Sequence, residues 1–213
     1  MLVTGFELSE AAALIGRPVR HIRSEVERVA ADTVRSTGIV VWAGTKRRHY
    51  RVTPRGLVYL QFVHELDAQG ISLRPKTRQD ILTMIEDSGR RTRSVTGMRG
   101  ERYRVTIEGP IRTEFDLAGI YDEVNTLVRR YRRGRDSIER RADIMGGEAI
   151  FKGTRIPVQH IVDLIHRGVS VEELREDYPA LSEDALEYAR IRAAAGRRPG
   201  RPRRRLEFKQ VAA

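Results

Sequence analysis

Apolar residues in this chain recur mostly three and four positions apart, and glycine and proline cut the pattern into short pieces. Val19, Ile22, Val26 and Val29 make one such stripe, which predicts a helix opened by Pro18 at its first position. Before it, Leu8 and a capping Ser9 lead into a run over residues 10–15 that stops at Gly16, a residue suited to end a helix. So short a turn between two helices suits the angled packing of a helix-turn-helix. Ile39-Val40-Val41-Trp42 then reads as a strand, Ala43-Gly44-Thr45 as a turn, and Tyr50-Arg51-Val52 as the returning strand of a hairpin. Thr53-Pro54 opens a helix carrying Leu57, Leu60 and Phe62 to about Leu66, and residues 75–87 supply a further one.

The middle of the chain changes character. Residues 88–100 are rich in Gly, Ser, Thr and Arg and read as a linker. Tyr103, Val105 and Ile107 alternate with polar residues, and residues 111–115 are placed to pair back after Gly109-Pro110. From Asp116 the stripe Leu117, Ile120, Tyr121, Val124, Leu127, Val128, Tyr131 predicts a long amphipathic helix, a candidate dimer interface with the adjacent strands. Two turns follow, at residues 144–147 and 151–156. Pro157 opens a helix with Val158, Ile161, Val162 and Ile165, closed by Gly168; Ser170 and Glu173 cap the next, and Ser182 caps a last one reaching Ala195. The expected fold is α+β and mainly α. Residues 1–88 form a winged helix-turn-helix, 89–135 a linking and dimerisation region, 136–195 a trihelical helix-turn-helix unit, and 196–213 a basic tail with no means of building a core.

Charge modifies this picture more by its distribution than by its total. The net charge is +11, but residues 196–213 hold six arginines and Lys209 against Glu207, which leaves only +5 to the body. Local placement therefore matters. Arg17, Arg20, His21, Arg23 and Ser24 lie at the start of the second helix, opposite its apolar stripe, where a recognition helix meets base edges in the major groove. Lys46, Arg47, Arg48, His49 and Arg51 follow as a basic wing. Double-stranded operator DNA is the partner this pattern predicts, and a homodimer suits a palindromic operator.

Two resemblances sharpen the reading. The segments FELSEAAALIGRPVRHIRSEVE and RRHYRVTPRGLVYLQFVHELDAQGISL resemble the winged helix-turn-helix of the MerR superfamily, over roughly residues 5–88. The insert over residues 30–39 and the lack of a long C-terminal coiled coil depart from that superfamily's pattern. The stretch DSIERRADIMGGEAIFKGTRIPVQHIVDLIHRGVSVEELREDYPALSEDALEYA is similar to a small helix-turn-helix family of unknown function, whose bacterial members are regarded as antitoxins of the VapB type. Gly146, Gly147, Lys152, Gly153, Thr154, Arg155, Ile156 and Pro157 carry that likeness, with Val158, Gly168, Glu173, Asp177-Tyr178-Pro179 and Leu181. The resemblance implies a type II antitoxin that represses its own operon and neutralises a PIN-like ribonuclease toxin.

The tail residues Arg197, Arg198, Arg201, Arg203, Arg204 and Arg205, with Leu206 and Phe208 as apolar anchors, suit an acidic protein partner and so are the candidate toxin contact; DNA phosphates and plain solubility are the other readings. Lys152-Gly153-Thr154 does not make a phosphate-binding loop, because the lysine precedes the glycine and Pro157 interrupts. The absence of cysteine removes disulfides and thiolate chemistry, and the five histidines show no i, i+4 pairing, so no metal, cofactor or catalytic residue is expected. No segment reads as a membrane span and MLVTGFELSEAA does not read as a secretory leader, so the cytoplasm is expected. Two alternatives remain: a MerR-like regulator without a toxin, and an RNA-associated adaptor acting through its arginines. An enzyme is the least favoured class.

Overall fold

The computed structural model describes residues 5–32, 40–42, 50–73, 78, 81–83, 85, 104–107 and 113–196. Strand β1 (Phe6–Glu7) leads straight into α1 (Leu8–Leu14), and α2 (Val19–Asp32) follows. Strands β2 (Val40–Trp42) and β3 (Tyr50–Val52) precede α3 (Pro54–Ala68), and a helical stretch beyond it includes Arg78 and Ile85. Next come β4 (Arg104–Ile107), β5 (Thr113–Asp116) and the long α4 (Leu117–Asp136). The last part holds β6 (Ile138–Arg140), β7 (Ala149–Phe151), α5 (Val158–His166), α6 (Val171–Asp177) and α7 (Glu183–Ala195). The protein is mainly helical with small antiparallel sheets, as the periodicity predicts.

Each boundary has a local cause. Gly16 (φ +66°) ends α1 in a left-handed conformation, and the Arg17 N–H reaches back to the Ala12 carbonyl at 2.8 Å. Thr53 Oγ1 accepts from the Gly56 N–H at 3.0 Å and caps the helix that Thr53-Pro54 opens, while Ser170 Oγ accepts from Glu173 at 3.1 Å and Ser182 Oγ from Ala185 at 3.2 Å, the two predicted caps. The cap of α1 differs from the expected Ser9. Phe6 and Glu7 are held extended by pairing with Val52 and Arg51, so the helix starts two residues earlier and Glu7 takes the cap position. The Glu10 carboxylate accepts from the Glu7 N–H at 3.0 Å.

Strand β3 is the centre of a sheet ordered β1-β3-β2, with Val40 opposite Val52 and Trp42 opposite Tyr50. The sheet, α1, α2 and α3 enclose a core in which α3 is buried on nearly every side, from Gly56 through Leu60 and on to Phe62 and Leu66. Against this core lies the apolar stripe of α4, with Leu117, Ile120, Tyr121, Val124, Val128 and Tyr131 all buried. The stripe is therefore covered within the chain by α3 and α7, and is not the free dimer face that the pattern suggested. A second, smaller core joins α5, α6 and α7 around Ile161, Leu174, Leu186 and Ala189.

Helix α7 belongs to both cores. Leu186 and Ala189 face α5 and α6, whereas Ile191 packs into the larger core. Its approach to α4 depends on Gly134: a β-carbon there would stand 2.1 Å from the Asp184 carbonyl oxygen and 2.6 Å from the Tyr188 β-carbon. Arg133 clasps Asp184 with Nε (2.5 Å) and a second nitrogen (3.3 Å), and Arg130 reaches Glu183 at 3.4 Å. Among the described residues, no helix is long and apolar enough to cross a membrane.

Alanine is the better helix former, so propensity alone would favour Gly134→Ala by about 1 kcal/mol. The close crossing reverses that sign. We expect Gly134→Ala to lower stability by about 1–3 kcal/mol in urea unfolding, the range for overpacking; unchanged stability would show that α7 can withdraw without loss.

Candidate nucleic-acid interface

The two faces of α2 do different things. Ile22, Val26 and Val29 anchor one face in the core. On the other, Arg20, His21, Arg23 and Ser24 are exposed and, among the described residues, have no partner; Arg17 is half-buried at the turn. Glu27 is the only acid on this exposed stretch, and Arg28 is drawn to Glu25 at 2.8 Å. Unpaired cations on a rigid helix behind a tight turn are what phosphate and base-edge recognition requires.

The helix is held by a buried charge that the periodicity did not reveal. Glu25 sits on the core side of α2 and is buried. Its carboxylate accepts from the Tyr59 hydroxyl of α3 at 2.7 Å and from the buried Arg78 guanidinium. Burial first, and then the adjacent Glu25 carboxylate, push the Tyr59 phenol well above its ordinary pKa. A second node links α1 to the far helices: Tyr131 donates to Glu10 Oε1 at 3.1 Å and Arg192 approaches the same oxygen at 3.5 Å. The Tyr131 phenol is likewise raised, by burial and then by Glu10. The sequence signal was present, since an acid at either position interrupts an otherwise apolar face, but the partners are distant in the chain, Tyr131 standing 121 residues from Glu10 and Arg192 farther still.

The predicted DNA-contact residues divide into three groups. Arg17, Arg20, His21, Arg23 and Ser24 stand together on α2. Lys46, Arg47, Arg48 and His49 lie outside the described residues, although the strands flanking them pair as a hairpin. Arg51 stands apart from the α2 group: it touches the Gly5 carbonyl at 3.4 Å and Glu7 at 3.7 Å, and it lines a cleft shared with residues of the C-terminal unit. The tail residues from Arg197 to Phe208 also lie outside the described residues.

The glycine-rich C-terminal motif proves to be folding machinery. Gly146 (φ +63°) and Gly147 (φ +81°) make the turn between β6 and β7, with Met145 itself at φ +48°. Lys152 donates its backbone N–H to the Ser137 carbonyl at 2.8 Å and its ammonium to the Asp136 carbonyl at the end of α4. Thr154 Oγ1 bonds the Phe151 carbonyl at 2.8 Å and accepts from the Ile156 N–H at 3.1 Å, with Gly153 (φ +73°) allowing the bend. Ile156 and Pro157 then bridge back to β7, and Arg155 stays exposed. The lysine and threonine are committed internally, which fits a structural turn. Among the described residues no group of His, Asp and Glu is arranged to hold a metal ion.

Residues 138–191, from β6 into α7, match the family model described as "Protein of unknown function (DUF433)". A stretch of 72 residues is 36% identical to "Uncharacterized protein y4eO" of Sinorhizobium fredii (strain NBRC 101917 / NGR234), covering 34% of this chain and 32% of that protein. The chain thus spans about a third of the length of the curated relative it matches. No solved structure matches the chain.

Removing Arg78 would take away the buried partner of Glu25 and leave it the Tyr59 hydroxyl and the exposed Arg28. We expect Arg78→Ala to cost about 3–5 kcal/mol, the range for breaking a buried pair, read by urea unfolding. The raised phenols also fix a pH dependence. Above about pH 10 the unfolded chain releases tyrosine protons that the folded chain keeps, so stability falls as pH rises through that value. Melting curves between pH 8 and 11 should show this fall, and Tyr59→Phe with Tyr131→Phe should flatten it.

Proposed function

We propose that this protein is an antitoxin-type repressor that binds double-stranded operator DNA through α2 and the β2–β3 hairpin and holds a PIN-like ribonuclease toxin through its C-terminal part. The observation that carries the DNA half is the row of unpaired side chains at Arg20, His21, Arg23 and Ser24 on a helix locked from behind by Glu25. A recognition helix has to be rigid on one side and uncommitted on the other. The toxin half rests on the likeness of residues 136–195 to small antitoxin-like helix-turn-helix proteins and on the net +6 charge of residues 196–213, which suits a carboxylate-rich nuclease site. In this reading the protein acts as a cytoplasmic homodimer without cofactor or catalysis, and the dimer contact lies on a surface other than the covered stripe of α4. A MerR-like regulator without a toxin is the second reading, favoured by the order β1, α1, α2, β2, β3, α3.

Gel shifts with the protein's own upstream duplex test the first half. Arg20→Ala and Arg23→Ala should each weaken specific binding by about 1–3 kcal/mol, the range for losing a base contact, and a scrambled duplex should bind far less well. Equal affinity for both duplexes would sink the repressor reading. Deleting residues 197–213 should abolish co-purification of a nuclease encoded next door while sparing the gel shift. A chain whose neighbouring gene encodes no nuclease would favour the regulator.

A further inference from the structure

At the seam between the N-terminal core and the C-terminal unit lies a cleft of about 1280 Å³. Its lining brings together arginines from four separate elements: Arg51 of β3, Arg132 and Arg135 of α4, Arg140 of β6 and Arg192 of α7. Only tertiary folding assembles this set. Three acids share the lining, Glu10, Glu139 and Glu148, and Glu10 is engaged by Tyr131, Arg192 and the Glu7 N–H, so the five arginines leave the lining with a formal excess of two positive charges.

The other arginines are weakly satisfied. Arg51 has a carbonyl and a carboxylate at 3.7 Å, Arg140 only the Gly147 carbonyl at 3.3 Å, and Arg135 its own neighbour Asp136 at 3.5 Å in an exposed pair. Arg132 has no partner among the described residues. Guanidinium groups gathered in one cleft repel each other, and an anion that bridges them relieves the repulsion while using their fork geometry. Beside them, the rings of Tyr131 and Tyr188, tilted by 46° with centroids 5.3 Å apart, give the cleft an aromatic wall.

We propose that this cleft binds a small molecule carrying two or more phosphate groups, held by Arg132, Arg135 and Arg140, with Arg51 of the same lining contributing. A ligand there would touch β3 of the helix-turn-helix unit and α4, β6 and α7 at once, and so would bridge the two halves of the protein. Arg132, Arg135 and Arg140 lie outside α2 and the β2–β3 hairpin, so the cleft's main contacts are separate from the proposed DNA surface.

Titration calorimetry on the full chain tests it, with inorganic pyrophosphate, adenosine diphosphate, an acidic octapeptide and a short single-stranded oligonucleotide as probes. We expect saturable binding of pyrophosphate, adenosine diphosphate or both, weakened at least tenfold by Arg132→Gln combined with Arg140→Gln. Both side chains are exposed, and an unchanged melting temperature would check that the variant folds. Arg20→Ala with Arg23→Ala should leave this binding intact whatever it does to the gel shift. The proposal is overturned if neither phosphate compound binds or if only the peptide or oligonucleotide does. Binding that survives the Arg132 and Arg140 changes would belong to the arginine tail, and would overturn it equally.

Discussion

The contact between α4 and α7 determines how the rest of the molecule is arranged, because it is where two hydrophobic cores share one helix. Neither α5 nor α6 is long enough to bury its own apolar face without α7, and α7 reaches the larger core only because Gly134 lets its backbone come within reach of α4. The arginines of α4 secure the same crossing from the solvent side through Asp184 and Glu183. These exposed pairs contribute little energy each, about 1 kcal/mol at most.

Buried carboxylates carry the second organising role. Glu25 and Glu10 each sit where the hydrophobic pattern calls for an apolar residue, and each is satisfied by a tyrosine hydroxyl and an arginine from elsewhere in the chain. A buried charge is costly unless every lone pair has a donor, so such a node tolerates few alternative packings. Glu25 therefore fixes α2 against α3 from behind, and Glu10 fixes α1 against α4 and α7. The helix that bears the unpaired cations is held to one orientation by groups that never reach the surface.

The two sets of arginines differ in kind. Those of α2 are contiguous on one helix face and project from a single element, whereas those of the cleft come from β3, α4, β6 and α7. A linear cluster faces an extended polyanion well, while a convergent one encloses a compact anion. Arg51 shows the difference most directly. Read along the chain it belongs to the wing, yet strand alternation turns Val52 into the core and leaves Arg51 facing the cleft.

Helices, caps and turns were legible because they depend on neighbours within four residues. Ser170, Ser182, Thr53 and Gly16 act where their residue types predict, and the stripes at Ile22, Val26, Val29 and at Leu117 to Tyr131 are buried as their spacing requires. The cap at Glu7 was not legible, because it depends on β1 pairing with a strand more than forty residues on. For the same reason no periodicity reveals that the α4 stripe is covered from within, that Gly134 sits under Asp184, or that five arginines converge. Each is a relation between distant segments, and only the packing of α7 against both cores brings those segments together.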